Sequence, residues 1–377
     1  MFPDIKGVAL KKRVLMVAGG TGGHIFPGLA LAEELSNHGV EVVWVGRSNS
    51  MEETVARGAH FQFEAVSAGQ IVGKSFTGRL QGLIATVIGF FQALRIIEKT
   101  NPDGVVGAGG FVGVPVLLAS RFKGVKFFLL EQNCIPGKST RFFARWAEEV
   151  FLTFPVEGGI AGRWSVTGTP LRRGVVERCV RTDFVSHRGS GSTPDSRRTL
   201  LVFGGSQGAR ALNLAALDLA ATLTNLQVVI VTGRRDYPLM KSLVRSKNCE
   251  IVEWTDHPED LYSRATLAVT RAGALVLSEL LAFGIPMIIV PFPYAADRHQ
   301  DANARYVAKI GAGIVLEQTQ LSGLTSLVQM LLADADKLQM MRQRAREVAR
   351  IDAGAVIARR ILSVLNKGKE QAVCSAD

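Results

Sequence analysis

Sulfur, aromatic rings and charge are all scarce in this chain, and each scarcity removes a class of function. The four cysteines, Cys134, Cys179, Cys249 and Cys374, stand apart with no CxxC pair. That spacing excludes a zinc ribbon and a thioredoxin-type motif, and it reads as free thiols in a reducing compartment. Aromatic residues make up 7% of the chain and are not interleaved with basic ones, so the stacking platform of a single-strand nucleic-acid binder is missing. Charged residues are 20% against 47% hydrophobic, a globular composition, and 377 residues fit two domains of ordinary size. A dinucleotide fingerprint would need glycine where Ile25 and Val112 stand. The two "GKS" tripeptides, at 73–75 and 137–139, lack the earlier glycine of a triphosphate loop and have Ala68 and Gln132 in its place. The N-terminus shows no cleavable leader, which predicts a cytoplasmic protein. The most apolar run, residues 80–97, is short of the ~20 residues of a membrane span and contains Gln81 and Gln92. It is read as a helix lying in an interface beside basic flanks. The "DAD" at 334–336 sits in a polar C-terminal helical region and is read as surface rather than as a metal site.

What the chain does have is glycine, 39 residues of it, and a net charge of +11 with a pI near 9.7. A positive balance favours anionic partners. Short apolar runs alternate with helical patterns throughout. Strands are predicted at 14–17, 40–45, 61–66, 104–106, 126–130 and 149–153, then at 200–203, 228–231, 251–253, 267–269 and 287–290. Continuous apolar strands separated by helices predict parallel sheets covered on both faces. The first helix is predicted to begin near Pro27, a residue suited to a first turn. The polar stretch 180–199 reads as a loop, and the strand–glycine–helix pattern after it repeats the layout of the opening one. The expected architecture is α/β: two Rossmann-like, doubly wound parallel-sheet domains facing across a cleft. The expected units are 1–167, 168–350, and a C-terminal segment 351–377 packing back on the first.

Four glycine-bearing turns stand where strands meet helices: 19–23, 107–110, 204–208 and the start of "RAGALVLSELL" at Gly273. One such turn can need glycine for its backbone alone. Four in a positively charged chain favour a phosphate-bearing ligand, held by unpaired N–H groups at helix starts. Ala274, Leu275 and Val276 would supply such groups. Glu279 lies between Leu277 and Leu280 on an otherwise apolar helix. That is an uncomfortable place for a solvated carboxylate and a suitable one for gripping vicinal hydroxyls. In "DRHQDANA", His299, Gln300 and Asn303 fall on neighbouring parts of one helix face.

In order, "GGTGGHIFPGLALA", "GAGGFVGVP", "EQN", "GTPLR", "FGGSQGARALN" and "RAGALVLSELLAFGIPMIIVP…DRHQDANA" resemble the MurG family of GT-B glycosyltransferases, and the likeness covers almost the whole chain. The resemblance implies transfer of GlcNAc from UDP-GlcNAc to the C4 hydroxyl of MurNAc in a pentapeptide pyrophosphoryl-undecaprenol, with inversion and with no cofactor or metal. It implies a peripheral enzyme on the cytoplasmic face of the inner membrane, an anionic membrane surface and cell-wall or division assemblies as partners, and no nucleic acid. By motif, the donor site would take Ser206, Gln207, Thr255, Ala274, Leu275, Val276, Glu279, Gln300, Asn303 and Arg172 from the second domain. Thr21, Gly22, Gly23 and Asn133 would complete it from the first. Gly20, His24, Gly109 and Gly110 would face the acceptor. Glu279 would hold ribose. His24 is the leading candidate for the base, with capping or orienting the acceptor diphosphate as its other role. Ala272, Val276 and His299 depart from the residues common in the family. Rival readings are a UDP-sugar 2-epimerase, a glycolipid glycosyltransferase and a non-catalytic UDP-sugar-binding scaffold.

Overall fold

The structure, a computed structural model, describes residues 11–70, 75–186, 198–205 and 208–374. The first sheet holds β1 (Arg13–Val17), β2 (Glu41–Gly46), β3 (Gln62–Ala65), β4 (Gly104–Gly107), β5 (Phe127–Glu131), β6 (Glu149–Leu152) and β7 (Trp164–Val166). The second holds β8 (Thr199–Phe203), β9 (Gln227–Val231), β10 (Cys249–Val252), β11 (Leu267–Thr270), β12 (Met287–Ile289) and β13 (Gly313–Val315). The first five helices accompany the first sheet: α1 (Gly22–Asn37), α2 (Met51–Gly58), α3 (Phe76–Thr100), α4 (Gly113–Lys123) and α5 (Lys138–Phe143). Those of the second run from α6 (Arg173–Ser186) through α7 (Arg210–Thr222), α8 (Tyr237–Leu243), α9 (Pro258–Tyr262), α10 (Ala274–Ala282), α11 (His299–Lys309) and α12 (Leu324–Ala333) to α13 (Ala335–Val348). The last helix, α14 (Ala353–Cys374), returns to the first sheet.

Every strand pairing is parallel, in the orders β3-β2-β1-β4-β5-β6-β7 and β10-β9-β8-β11-β12-β13. The central strands are buried on both faces; Val14, Leu15, Met16 and Val17 have no exposed surface. The strand order reverses between β1 and β4 and again between β8 and β11. Ligands of open α/β sheets bind outside the carboxyl ends of the strands at such switch points. The loops following β1, β4, β8 and β11 are the four glycine-bearing turns singled out in the sequence. Topology therefore gathers all four at the two switch points.

The chain crosses between the sheets twice, after β7 and between α13 and α14. Gly168 (φ +83°) stands at the first crossing, and a Cβ there would lie 2.4 Å from the Cβ of Arg350 at the second. Only glycine lets the two strands of chain touch. Past that point, Ile357, Ala358, Ile361 and Leu365 of α14 join the core formed by Val14, Met16, Leu31 and Leu35. Lys12 and Lys126 donate to the Leu365 and Val364 carbonyls at 2.9 and 3.2 Å. Arg360 donates to buried Glu149 at 2.6 Å.

Several expectations need correction. Helix α1 begins at Gly22, not near Pro27: the Thr21 carbonyl accepts from His24 and Ile25 N–H at 3.0 and 3.1 Å. Pro27 lies inside the helix. Its i−4 residue is Gly23, and no N–H of Pro27 reaches back to that carbonyl. The short edge strands β7 and β13, three residues each, were not anticipated. Strand β10 runs from Cys249 to Val252, ahead of the expected 251–253. Helix α6 continues to Ser186, so the stretch read as a loop from 180 starts helical; residues 187–197 lie outside the described residues. In "DAD", Asp334 caps α13 by accepting from Lys337 N–H at 2.9 Å, a structural use of that carboxylate.

The apolar run forms a longer helix than the sequence reading allowed. α3 has 25 residues and a window of mean hydropathy 1.7, enough by length and composition to cross a membrane, and 33% of that window is buried within the protein. The buried face is a stripe of small residues, Gly82, Thr86, Gly89 and Ala93. A Cβ on Gly89 would fall 1.9 Å from the Ser67 carbonyl oxygen, so this stripe lets α3 sit directly on the 67–69 segment. The polar interruption at Gln92 is explained by its acceptance of the Ser67 N–H at 2.7 Å. The opposite face of α3 is exposed.

Candidate active site

A cavity of ≈ 770 Å³ opens between the carboxyl ends of the two sheets. From the first sheet it is lined by Thr21, Gly22, Gly23, His24, Gln132 and Asn133. From the second it is lined by the loops after β8 and β11, by Thr255, and by the starts of α10 and α11. The N-terminus of α10 is uncapped by any side chain: Gly273 is extended (φ −71°, ψ 125°), and the first turn closes with Leu277 N–H to Gly273 O at 3.0 Å. The N–H groups of Ala274, Leu275 and Val276 therefore have no helical partner. All three residues line the cavity, where helix-start partial charge attracts an anion.

One and a half turns on, Glu279 is 1% exposed. Its Oε1 accepts from Arg172 Nη2 at 2.9 Å and its Oε2 from the Tyr262 hydroxyl at 2.7 Å. Burial alone would lower the Arg172 pKa; the charge and hydrogen bond of Glu279 outweigh it and raise it. Burial, and then Glu279, push the Tyr262 phenol well above 10. Arg172 also donates to the Asp256 carbonyl at 3.3 Å and stacks 4.9 Å from the centre of the Phe26 ring on α1. Its Nε is buried without a partner.

On the opposite wall, the His24 ring lies against Gly109. A Cβ at Gly109 (φ +97°) would fall 2.7 Å from His24 Cδ2, so this glycine makes room for the ring. The imidazole pKa is lowered, chiefly by burial and further by His299 across the cavity; Glu131 and the hydrogen bond to Gly19 act the other way. The ring is thus held neutral near pH 7. The ring hydrogen-bonds the Gly19 backbone, Thr21 Oγ1 lies 3.4 Å from Nδ1, and a neutral imidazole can take up a proton.

Both halves of the chain match one family. Residues 14–152 match the glycosyltransferase family 28 N-terminal domain, and residues 199–355 match its C-terminal domain. The UDP-N-acetylglucosamine–N-acetylmuramyl-(pentapeptide) pyrophosphoryl-undecaprenol N-acetylglucosamine transferase of Methylococcus capsulatus is 36% identical over 93% of this chain and 98% of that protein. The like-named protein of Geobacter metallireducens is 35% identical over 95% and 100%. The crystal structure of Acinetobacter baumannii MurG superposes with a TM-score of 0.73 at 26% identity, covering 94% of this chain and 99% of that one. The chain belongs to the MurG family, within glycosyltransferase family 28. A UDP-GlcNAc 2-epimerase from Neisseria meningitidis shares the fold at TM-score 0.64 and 14% identity, over 93% and 100%.

The residues that MurG-family likeness singled out fall into distinct groups. Thr21, Gly22, Gly23, His24, Asn133, Arg172, Thr255, Ala274, Leu275, Val276, Glu279 and Gln300 are brought together around the cavity. Gly20, Gly109 and Gly110 are not part of its lining; they lie behind His24 and toward the outer side of the first-sheet loops, with φ of 92°, 97° and 81°. Ser206 and Gln207 lie outside the described residues. Asn303 is placed differently from expectation. It is fully buried, its amide donates to Asn133 Oδ1 and to the Ala272 carbonyl, both at 3.0 Å, and its oxygen accepts from Cys134 N–H at 2.9 Å. Both donors are spent on tying the first sheet's β5 loop to the second unit, so it has none left for a sugar. Gln300 accepts the Phe292 N–H at 2.9 Å and keeps its amide group on the cavity side. Sequence reasoning missed Tyr262, Phe26 and Gln132. Gln132 donates to the Ala108 carbonyl at 3.0 Å and so locks the β5 loop to the β4 loop. It lies inside the "EQN" motif, and Phe26 inside "GGTGGHIFPGLALA", which were the available signals; Tyr262 offered none.

Proposed function

We propose that this protein is an inverting glycosyltransferase that moves GlcNAc from UDP-GlcNAc to the C4 hydroxyl of MurNAc in undecaprenyl-pyrophosphoryl-MurNAc-pentapeptide, the lipid I to lipid II step of peptidoglycan synthesis. The observation that carries it is the single cavity that sets a free helix start and a buried Glu279–Arg172 pair against a neutral histidine from the other sheet. In the reaction the acceptor oxygen forms a bond to C1 as the bond from C1 to the phosphate oxygen breaks, and UDP leaves with its electron pair. The N–H groups of residues 274–276 and the guanidinium of Arg172 meet the charge that grows on the diphosphate. Preorganised donors of this kind are each worth about 3–4 kcal/mol in favourable sites. Glu279 grips the ribose hydroxyls, Thr255 meets the uracil, and Gln300 the sugar. His24 takes the proton of the acceptor hydroxyl.

The test is incubation with labelled UDP-GlcNAc and a lipid-linked MurNAc-pentapeptide acceptor. Glycosylated lipid is the expected product. Epimerised sugar nucleotide would indicate the 2-epimerase reading, and donor that is bound but unchanged a scaffold.

The proposed seat at the membrane is the outer face of α3. Leu80, Leu83, Ile84, Val87, Ile88 and Phe91 are 48–59% exposed there, and Phe122 of α4 is 73% exposed beside them. Arg79, Arg95, Arg121 and Lys123 border this surface. Gly89 of α3 lies against Pro115 in the first turn of α4, which starts directly after the β4 glycine loop, so the patch begins beside the proposed acceptor loops. Basic residues near an anionic leaflet contribute about 1 kcal/mol each, screened by salt. The pair Val87→Asp with Phe91→Asp is expected to cut sedimentation with phosphatidylglycerol vesicles at least tenfold, leaving turnover of a short-chain, water-soluble acceptor unchanged. Undiminished sedimentation would remove α3 as the membrane face.

A further inference from the structure

Beside the outer side of the β1 loop stands an arginine that the cavity does not use. Arg47 follows β2, and its side chain is 37% exposed. Its backbone is fixed by a tight turn: the Arg47 carbonyl accepts from Ser50 Oγ at 2.5 Å, and Asn49 takes a left-handed φ of 53°. The Asn49 N–H donates to Glu53 at 2.7 Å, while the Ser50 hydroxyl accepts from Glu53 N–H at 3.3 Å. Ser50 thus caps the start of α2, and Glu53 reaches back one residue beyond the cap. The side chain is fixed as well. Arg47 Nε donates to Glu52 Oε1 at 3.1 Å, and the guanidinium lies 5.0 Å from the centre of the Phe111 ring. Glu52 is 1% exposed and lies directly under the first glycine loop, where a Cβ at Gly19 would fall 2.9 Å from its Oε1. Phe111 closes the group from the β4 loop, 3.9 Å from where a Cβ of Gly20 would stand.

A buried carboxylate and an aromatic face thus aim one guanidinium at the meeting point of two glycine loops. Among the described residues, Nη1 and Nη2 of Arg47 have no hydrogen-bond partner. Rigid placement costs side-chain entropy, and a charged group held with its fork of donors free matches the bidentate geometry of phosphate oxygens. Neither Arg47, Gly20 nor Phe111 lines the donor cavity. We infer that Arg47 binds the diphosphate of the lipid-linked acceptor, with Glu52 and Phe111 as its positioning residues; this rests on the transferase reading above. Gly20, where a Cβ would meet only Phe111, then serves as the bare backbone against which that diphosphate lies.

The experiment compares wild type, Arg47→Gln and Arg47→Lys on three readouts: KM for a short-chain lipid-linked MurNAc-pentapeptide acceptor, KM for UDP-GlcNAc, and sedimentation with phosphatidylglycerol vesicles. Arg47→Gln is expected to raise the acceptor KM tenfold or more, with the donor KM within twofold and sedimentation unchanged. Arg47→Lys should recover part of the loss, since it keeps the charge without the fork. Inorganic pyrophosphate should compete with the acceptor in wild type and lose that competition in Arg47→Gln. An unchanged acceptor KM would overturn the inference. So would an equal rise in both KM values with a lowered melting temperature, which would mark Arg47 as no more than a counter-ion to Glu52. A loss confined to vesicle sedimentation would reassign the guanidinium to lipid headgroups and overturn it too. If wild type transfers no GlcNAc to any lipid acceptor, the transferase reading itself fails and this inference falls with it. Transfer by wild type with an indifferent Arg47→Gln sinks the inference alone.

Discussion

Glutamine in place of Glu279 is expected to raise the KM for UDP-GlcNAc about ten- to hundredfold, the 1.5–3 kcal/mol that separates a hydrogen bond to a charged group from its loss. Glutamine is the informative variant. Alanine would leave Arg172, whose side chain is only 18% exposed, without a hydrogen-bond acceptor as well as without its counter-charge. Removing one partner of a buried pair costs about 3–5 kcal/mol, so a folding defect would obscure the binding effect. Glutamine keeps an oxygen for Arg172 or Tyr262 and removes the charge. A second comparison separates ribose recognition from mere support of Arg172. Wild type should discriminate against the 2′-deoxyribose analogue of UDP-GlcNAc, because a site built to pair with a hydroxyl is left with an unmatched polar group. Glu279→Gln should lose most of that discrimination. Equal discrimination by both proteins would leave Glu279 with a structural role only. Tyr262→Phe should fall between them, since it frees one carboxylate oxygen without removing the charge.

The parts of this site that were legible from sequence are those whose chemistry is local. Each of the four glycine turns ends an apolar strand and opens a helix, so their place at the carboxyl ends of strands was legible; that they gather at the two switch points came only with the strand order. Glu279 was legible because a carboxylate among leucines must be held by something. What was hidden depended on distance along the chain. Asn303 reads as a sugar contact by its spacing, yet its partners Cys134 and Asn133 lie 169 and 170 residues away. Tyr262 and Phe26 meet Glu279 and Arg172 only through the packing of α9, α10 and α1. The seven- and six-stranded sheets were anticipated as six and five, because β7 and β13 are three-residue edge strands, too short to stand out. The start of α1 was displaced because Pro27 carried a first-turn rule into a helix whose second residue is glycine.

Alanine at His24 is expected to lower kcat about 10²- to 10⁴-fold, the usual range for a positioned proton acceptor, with UDP affinity within twofold. The pH profile carries the sharper evidence. A base must be unprotonated, so activity falls on the acid side as the ring takes up its proton. Burial, the largest influence, and the neighbouring His299 lower the His24 pKa from 6.5, against the opposing pull of Glu131 and the Gly19 backbone. The acid limb of kcat/KM, which reports the free enzyme, should therefore have its midpoint below 6.5, and the enzyme should keep more activity at pH 6 than an ordinary histidine would allow. His299→Gln removes a neighbour that disfavours the protonated ring, so the limb should move upward in pH; Glu131→Gln removes one that favours it, so the limb should move downward. Opposite shifts from two neighbours of one ring are hard to produce by misfolding. Normal turnover in His24→Ala at saturating donor and acceptor would exclude the base, and a loss confined to the acceptor KM would leave His24 as an orienting group beside the diphosphate.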